Sequence, residues 1–197
     1  MKVMYPNSDE YDRISLHEAG HYIANRFFGY VPDAIYFTYN KTTQGYSGGC
    51  EVSYPAFFLK KRDFISFCYK RCVILFAGSA AGALDNKSKK VDFAKAFDDF
   101  NAEAGLSDRI KYETLLRVYI NFRYGFLKKH KINKPFEYFD CIFKKETVRI
   151  VEENATHIMG IAGRLRSEIK KNLLIKEDFL LGYDDFNKMP AITKVFG

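Results

Sequence analysis

The stretch Leu16-His17-Glu18-Ala19-Gly20-His21 decides how the rest of the chain is read. On an α-helix, residues four apart lie about 40° apart around the axis and roughly 6 Å along it, so His17 and His21 project from one face at a separation that one metal ion bridges. Neutral imidazoles there suit zinc. Glu18 lies about 60° around the axis from His21, where it can hold a water beside the metal without being a ligand, the position of a general base for hydrolysis. The pattern points to a zinc-dependent hydrolase. The competing reading takes both histidines as ordinary half-buried helix residues and Glu18 as a solvated charge, and the helix signals around the motif favour the first.

Those signals begin at Asn7, a capping residue whose capping-box partner is Glu10, and end at Gly29, placed where a left-handed residue closes a helix. A helix from about residue 8 to 28 follows. Tyr11, Ile14, Ala24 and Phe28 fall near the histidine face, so the motif is expected in a mostly apolar wall that keeps the imidazoles neutral.

Composition limits the alternatives. With 197 residues and 47% hydrophobic side chains, including 19 Phe and 14 Tyr, the chain reads as one globular domain, residues 1–197, with core enough to fold without metal. The most apolar run, Cys72 to Leu84, is too short to span a membrane, and the N-terminus lacks the apolar segment of a signal peptide, so a cytoplasmic protein is expected. Four cysteines form no Cys-x-x-Cys pair and are expected as free thiols; Cys68 and Cys72 share a helical face but have no histidine near them in sequence. The net charge of +7 is spread along the chain in short clusters, the pattern of solvated faces more than of a nucleic-acid surface.

The remaining pattern is mainly α with a small β-sheet. Residues 34–40 and the segments 44–47 and 50–53 read as a hairpin whose second strand is expected to bulge or kink at Gly48-Gly49. An edge strand beside a zinc site can hold an extended polypeptide through its backbone. Helices are expected over about 60–84, 91–104, 107–129 with Ser107 as cap, and 135–172 with a break near Gly160 or Gly163. The small-residue run Ala77 to Ala83 invites close approach by another helix. Residues 175–183 show no strong period.

A catalytic zinc site takes three protein ligands, so a third is needed beyond His17 and His21. A metzincin arrangement is closed, because Ala24 and Phe27 stand where it needs glycine and histidine. The other histidines, His130 and His157, read as a surface and a core residue, which leaves the carboxylates.

The succession of His17-Glu18-Ala19-Gly20-His21, a strand with Gly45-Tyr46, a helix ending Phe76-Ala77-Gly78-Ser79-Ala80-Ala81, and then Val91-Asp92-Phe93-Ala94-Lys95-Ala96 resembles the peptidase domain of FtsH-type AAA zinc metalloproteases. The C-terminal part from Val148 to Leu181 resembles the end of that family's helical domain. The likeness covers most of the chain and is strong only at the first motif. It implies a stand-alone relative, a zinc-site part at about 1–105, and a helical part at about 106–197. It also implies Asp92 as the third ligand, with Asp98, Asp99 and Glu103 as alternatives on the same helix, and an AAA ATPase as candidate partner. Gly82-Ala83 replaces the family's glutamates, and Val91 its asparagine. The expected function is a zinc metalloendopeptidase acting without ATP on peptides or unfolded segments, with Glu18 as base. The alternatives are a weak or inactive peptidase-like interaction module, a basic nucleic-acid-associated protein, and a different metallopeptidase class.

Overall fold

The computed structural model describes residues 8–42, 45–172 and 178–182. It is mainly helical. Helix α1 (Ser8–Phe27) leads into β1 (Pro32–Asn40) and β2 (Gly45–Val52), followed by α2 (Lys61–Gly82) and α3 (Phe93–Asn101). A single 3-10 turn, Glu103–Gly105, precedes α4 (Leu106–Phe122), α5 (Tyr124–Lys129), α6 (Pro135–Glu153), α7 (Ala155–Asn172) and β3 (Phe179–Gly182). The three strands form one antiparallel sheet in the order β2-β1-β3. One cluster of buried apolar side chains runs from Tyr11 to Ile169, on both sides of the division expected near residue 105.

Helix α1 ends as its sequence requires. Gly29 takes a left-handed φ of 79°, its N–H donates to the Arg26 carbonyl at 2.9 Å, and the Tyr30 N–H returns to Asn25 at 3.0 Å. The cap expected at Asn7 lies outside the described residues.

Helix α2 is the axis of the fold, with α1, α3, α4 and α6 packed around it. Every residue from Cys72 to Gly82 is buried. The small-residue run does what its composition suggests: a Cβ on Gly20 of α1 would stand 2.4 Å from the Ala77 carbonyl oxygen and 2.5 Å from Ala81 Cβ. Only a glycine on one side and small residues on the other permit this approach. One correction concerns membranes, since α2 as a whole, unlike the run Cys72 to Leu84, is long and apolar enough by length and composition to cross one. Much of that apolar surface is buried by the surrounding helices.

Other departures have local causes. The helix expected over 107–129 divides at Arg123, and Ser107 lies inside α4, whose N-cap is Gly105. The long C-terminal helix breaks at Asn154, not at Gly160 or Gly163. There the backbone and side-chain amides of Asn154 both donate to the Ile150 carbonyl, at 3.1 and 2.9 Å, while its own carbonyl accepts the N–H groups of His157 and Ile158. This closes α6 and opens α7 on one residue. Strand β2 passes through Gly48-Gly49 in regular register opposite Phe37 and Tyr36, and the irregularity falls between Pro32 and Ala34 on β1. The third strand lies in a segment without periodicity; Phe179 stacks on Phe37 with ring centroids 4.9 Å apart.

Candidate metal centre

Helices α1, α2 and α4 and strand β2 converge on a cleft of about 480 Å³ that contains the His-Glu-x-x-His face. His17 and His21 lie one turn apart with their Nε2 atoms 3.0 Å from each other. The Nδ1 atom of His21 is 2.8 Å from the Ile74 carbonyl oxygen of α2. Since a carbonyl only accepts, this contact puts the proton on Nδ1 and turns Nε2 toward the cleft, the orientation a metal-binding histidine needs.

The third group is Asp108. Its Oδ2 lies 2.9 Å from His21 Nε2 and 3.4 Å from His17 Nε2, and the three donor atoms all fall within 4.8 Å of one another. Zinc bound tetrahedrally by nitrogen and oxygen at about 2.0–2.1 Å would hold its ligand atoms roughly 3.3 Å apart. The three separations found here bracket that value, so the residues fit the ion without rearrangement of the backbone.

Asp92, the ligand implied by the family resemblance, is elsewhere. It caps α3, its Oδ1 accepting the Lys95 N–H at 3.1 Å, and its own N–H donates to Ala83 beyond the end of α2. The imidazoles stand over Gly78, about 7 Å back along the helix axis. Of the alternatives, Asp98 and Glu103 are exposed, and Asp99 lies near Gly82. The chain returns to the histidines only after the turn at Gly105, where a Cβ would collide with the Asp99 and Phe100 carbonyl oxygens at 2.6 and 2.7 Å. That tight turn brings the first turn of α4, and Asp108 with it, to the cleft. A trace of this was present in the sequence, because Asp108 heads the stripe Tyr112, Leu116 and Tyr119 that α4 buries. His130 is exposed and packed on Phe126, and His157 lies in α7. Neither belongs to the cluster. Cys72 donates to the Tyr112 carbonyl, and neither it nor Cys68 belongs to a metal-binding group among the described residues.

Glycines shape the surroundings. A Cβ on Gly78 would stand 2.5 Å from His21 Nε2 and 2.6 Å from His17 Nε2, so α2 can lie under both rings only because this residue has no side chain. On the other wall, a Cβ on Gly48 would meet Glu18 Cγ at 2.7 Å, and one on Gly49 would meet the Tyr36 ring. The pair that suggested a kink instead lets an unbroken strand run against the glutamate. Glu18 itself is 5% exposed, and its Oε2 is buried with no hydrogen-bond partner. A carboxylate oxygen left so is costly unless something in the cleft completes it.

The electrostatics follow from this burial. Desolvation raises the Glu18 pKa, against the pull of the two imidazoles. Burial alone would lower His21, but the charge and hydrogen bond of Asp108 outweigh it and push the imidazole up to about 9. Burial likewise opposes ionisation of Asp108, and the imidazoles override it and hold the carboxyl well below the usual range. The apolar wall therefore does not keep the metal-free His21 neutral as expected; Asp108 favours a proton on this ring where a metal would sit.

At the far end of the cleft, Asn25 Nδ2 donates to the His21 carbonyl at 2.8 Å, Tyr54 Oη donates to Asn25 Oδ1 at 2.7 Å, and Arg71 Nη1 donates to Tyr54 Oη. The Arg71 guanidinium also lies over the Tyr54 ring, 4.1 Å from its centroid. No protein-family model, curated protein or solved structure matches this chain. The functional reading therefore rests on the site itself.

Proposed function

We propose that the protein is a metal-dependent peptidase in which His17, His21 and Asp108 hold a zinc ion and Glu18 acts as general base. The observation that carries this reading is the donor triangle of the three ligands beside a buried carboxylate oxygen that has no other partner. Zinc in that triangle would supply Lewis acidity to a scissile carbonyl and lower the pKa of water. Glu18, with its pKa raised by burial, takes the proton of the attacking water and delivers it to the leaving amine. The Ile74 carbonyl fixes the ring of His21 throughout.

Strand β2 suggests how substrate is held. It is the terminal strand of the sheet order, and Ser47, Gly48, Gly49 and Cys50 line the cleft next to Glu18. An extended peptide laid along this edge would gain backbone hydrogen bonds with its scissile carbonyl near the donor triangle. The substrates are then peptides or unfolded segments, and an AAA ATPase of the kind implied by the FtsH-type resemblance is the proposed source of unfolded chain.

The deciding experiment measures zinc content and hydrolysis of an unfolded protein for wild type, Glu18→Gln and His21→Ala. About one zinc per chain in the first two, with turnover reduced at least about 100-fold in Glu18→Gln and both properties lost in His21→Ala, is the expected result. Bound zinc in wild type with no turnover of any unfolded substrate would replace this reading with that of an interaction module.

A further inference from the structure

Arg71 lines the same cleft as the donor triangle, yet it has no carboxylate partner among the described residues. Of the two acids nearest the chemistry, Asp108 is paired with His21, and the Glu18 side chain lies against Gly48. Arg71 instead stacks on Tyr54 and donates one of its five N–H groups to that hydroxyl, leaving a planar fork held in place by an aromatic face. A half-buried guanidinium oriented this way is built to take a carboxylate, preferably in a bidentate pair.

Its position along the cleft is set by α2. Arg71 is one turn before Ile74, whose carbonyl holds His21, and two turns before Gly78, which lies under both imidazoles. Seven helical residues span about 10 Å, which is the length of roughly three residues of extended chain. The β2 wall gives the same direction: Gly48 faces Glu18, while Tyr54, past the end of the strand, meets Arg71. Cys50 lies between them, and its thiol feels both the Glu18 carboxylate and the Arg71 guanidinium.

We propose that Arg71 is a specificity-determining residue that binds a substrate carboxylate two to three residues from the scissile bond, selecting peptides that are acidic at that distance. The inference rests on the peptidase reading for its register. A substrate antiparallel to β2 presents residues on the amino side of the scissile bond to Arg71, and a parallel one presents the carboxyl side. Only the parallel arrangement lets a free C-terminal carboxylate reach it.

The test uses zinc-loaded full-length chains and a peptide set differing at one position, with Glu, Gln or Lys placed two or three residues to either side of the cleaved bond. Each peptide is made as free acid and as amide. Cleavage ratios are measured for wild type, Arg71→Gln and Arg71→Glu, and binding is followed by fluorescence anisotropy on the zinc-loaded Glu18→Gln chain, alone and combined with the Arg71 changes. Wild type is expected to prefer Glu over Gln by at least about 10-fold, in line with a charge-assisted pair. The ratio should fall to about one in Arg71→Gln and turn toward Lys in Arg71→Glu, a reversal that loss of a merely structural contact would not produce. Preference for the free acid over the amide, without preference for internal Glu, assigns the site to the chain terminus. Equal handling of Glu, Gln and amide by wild type overturns the proposal, as does a Glu preference that survives Arg71→Gln. Failure of all peptides to be cleaved, with the binding preference intact and dependent on Arg71, removes the peptidase reading and leaves the carboxylate site standing.

Discussion

The Cα of Gly78 lies so close beneath His21 that a Cβ added there would stand 2.5 Å from the ring's Nε2. His17 is met at 2.6 Å by the same atom, so one methyl group would push against both candidate ligands. Gly78→Ala is expected to weaken zinc binding at least about 10-fold, the loss typical when groups that orient a ligand are disturbed. Gly82→Ala on the same helix, whose Cβ would find nothing nearer than 3.7 Å, should leave zinc binding intact and be neutral or stabilising by up to about 1 kcal/mol. Competition with a chromophoric chelator and thermal unfolding of both variants check this; equal zinc affinities would show that the rings are free to move.

Asp108 and Asp92 should separate cleanly. Asp108→Ala is expected to lose zinc, whereas Asp92→Ala should keep it and lose about 1 kcal/mol of stability with its cap on Lys95. Metal analysis and urea unfolding of the two proteins decide the matter. The reverse pattern would restore the ligand implied by the family resemblance.

Gly48→Ala tests the opposite wall. Its Cβ would have Glu18 Cγ, Oε1 and Cδ as its three nearest atoms, at 2.7–3.0 Å, so kcat should fall about 10-fold or more with the zinc content unchanged. Loss of zinc in this variant would mean that β2 supports the metal site and not the base alone.

The stability of the metal-free protein should depend on pH in a particular direction. His21, raised in the fold from 6.5 to about 9, contributes stability that is complete below about pH 6.5 and lost as pH rises through 9. Asp108, lowered in the fold from 3.8, contributes stability present above that value and lost in acid. Chelator-treated protein is therefore expected to be weaker by on the order of 2 kcal/mol at pH 9.5 than at pH 6, and Glu18, raised by burial, also costs stability as pH rises above its ordinary range. Zinc must displace the His21 proton, so its affinity should rise over the same interval. Urea titrations at pH 6 and 9.5 with no difference would remove the charged His21–Asp108 pair from the metal-free state.

Metal removal should not unfold the chain, because α2 is enclosed by four helices without help from the donor triangle. Saturating zinc at 100 times its Kd is expected to raise stability by about 2.7 kcal/mol through mass action alone. Circular dichroism after chelation checks the fold; collapse of the helical signal would make the metal structural.

The helical fold and the first half of the site were legible because their causes are local. Four-residue spacing puts His17 and His21 on one face, Gly29 must end α1 at a positive φ, and small residues from Ala77 onward announce a close helix crossing. The breaks at Arg123 and Asn154 were not legible, since the apolar period runs through both and tertiary packing, not propensity, chooses where a long helix divides. The kink expected at Gly48 and Gly49 is absent: the missing side chains make room for those of Glu18 and Tyr36, which no local rule contains.

What the sequence alone determined, then, is a mainly helical chain with a hairpin and an α1 face bearing two imidazoles and a glutamate. Tertiary structure alone decided which carboxylate joins them. Asp92, Asp98, Asp99, Glu103 and Asp108 lie within 17 consecutive residues and are chemically similar. What distinguishes Asp108 is the turn at Gly105, which directs α4 back along α2 and sets its first turn beside the histidines, the nearer of which, His21, lies 87 residues before Asp108 in sequence. The same packing sets Arg71 and Tyr54 at the other end of the cleft. A metal site is a triangle measured in ångströms, and only the crossing of helices far apart in sequence closes it.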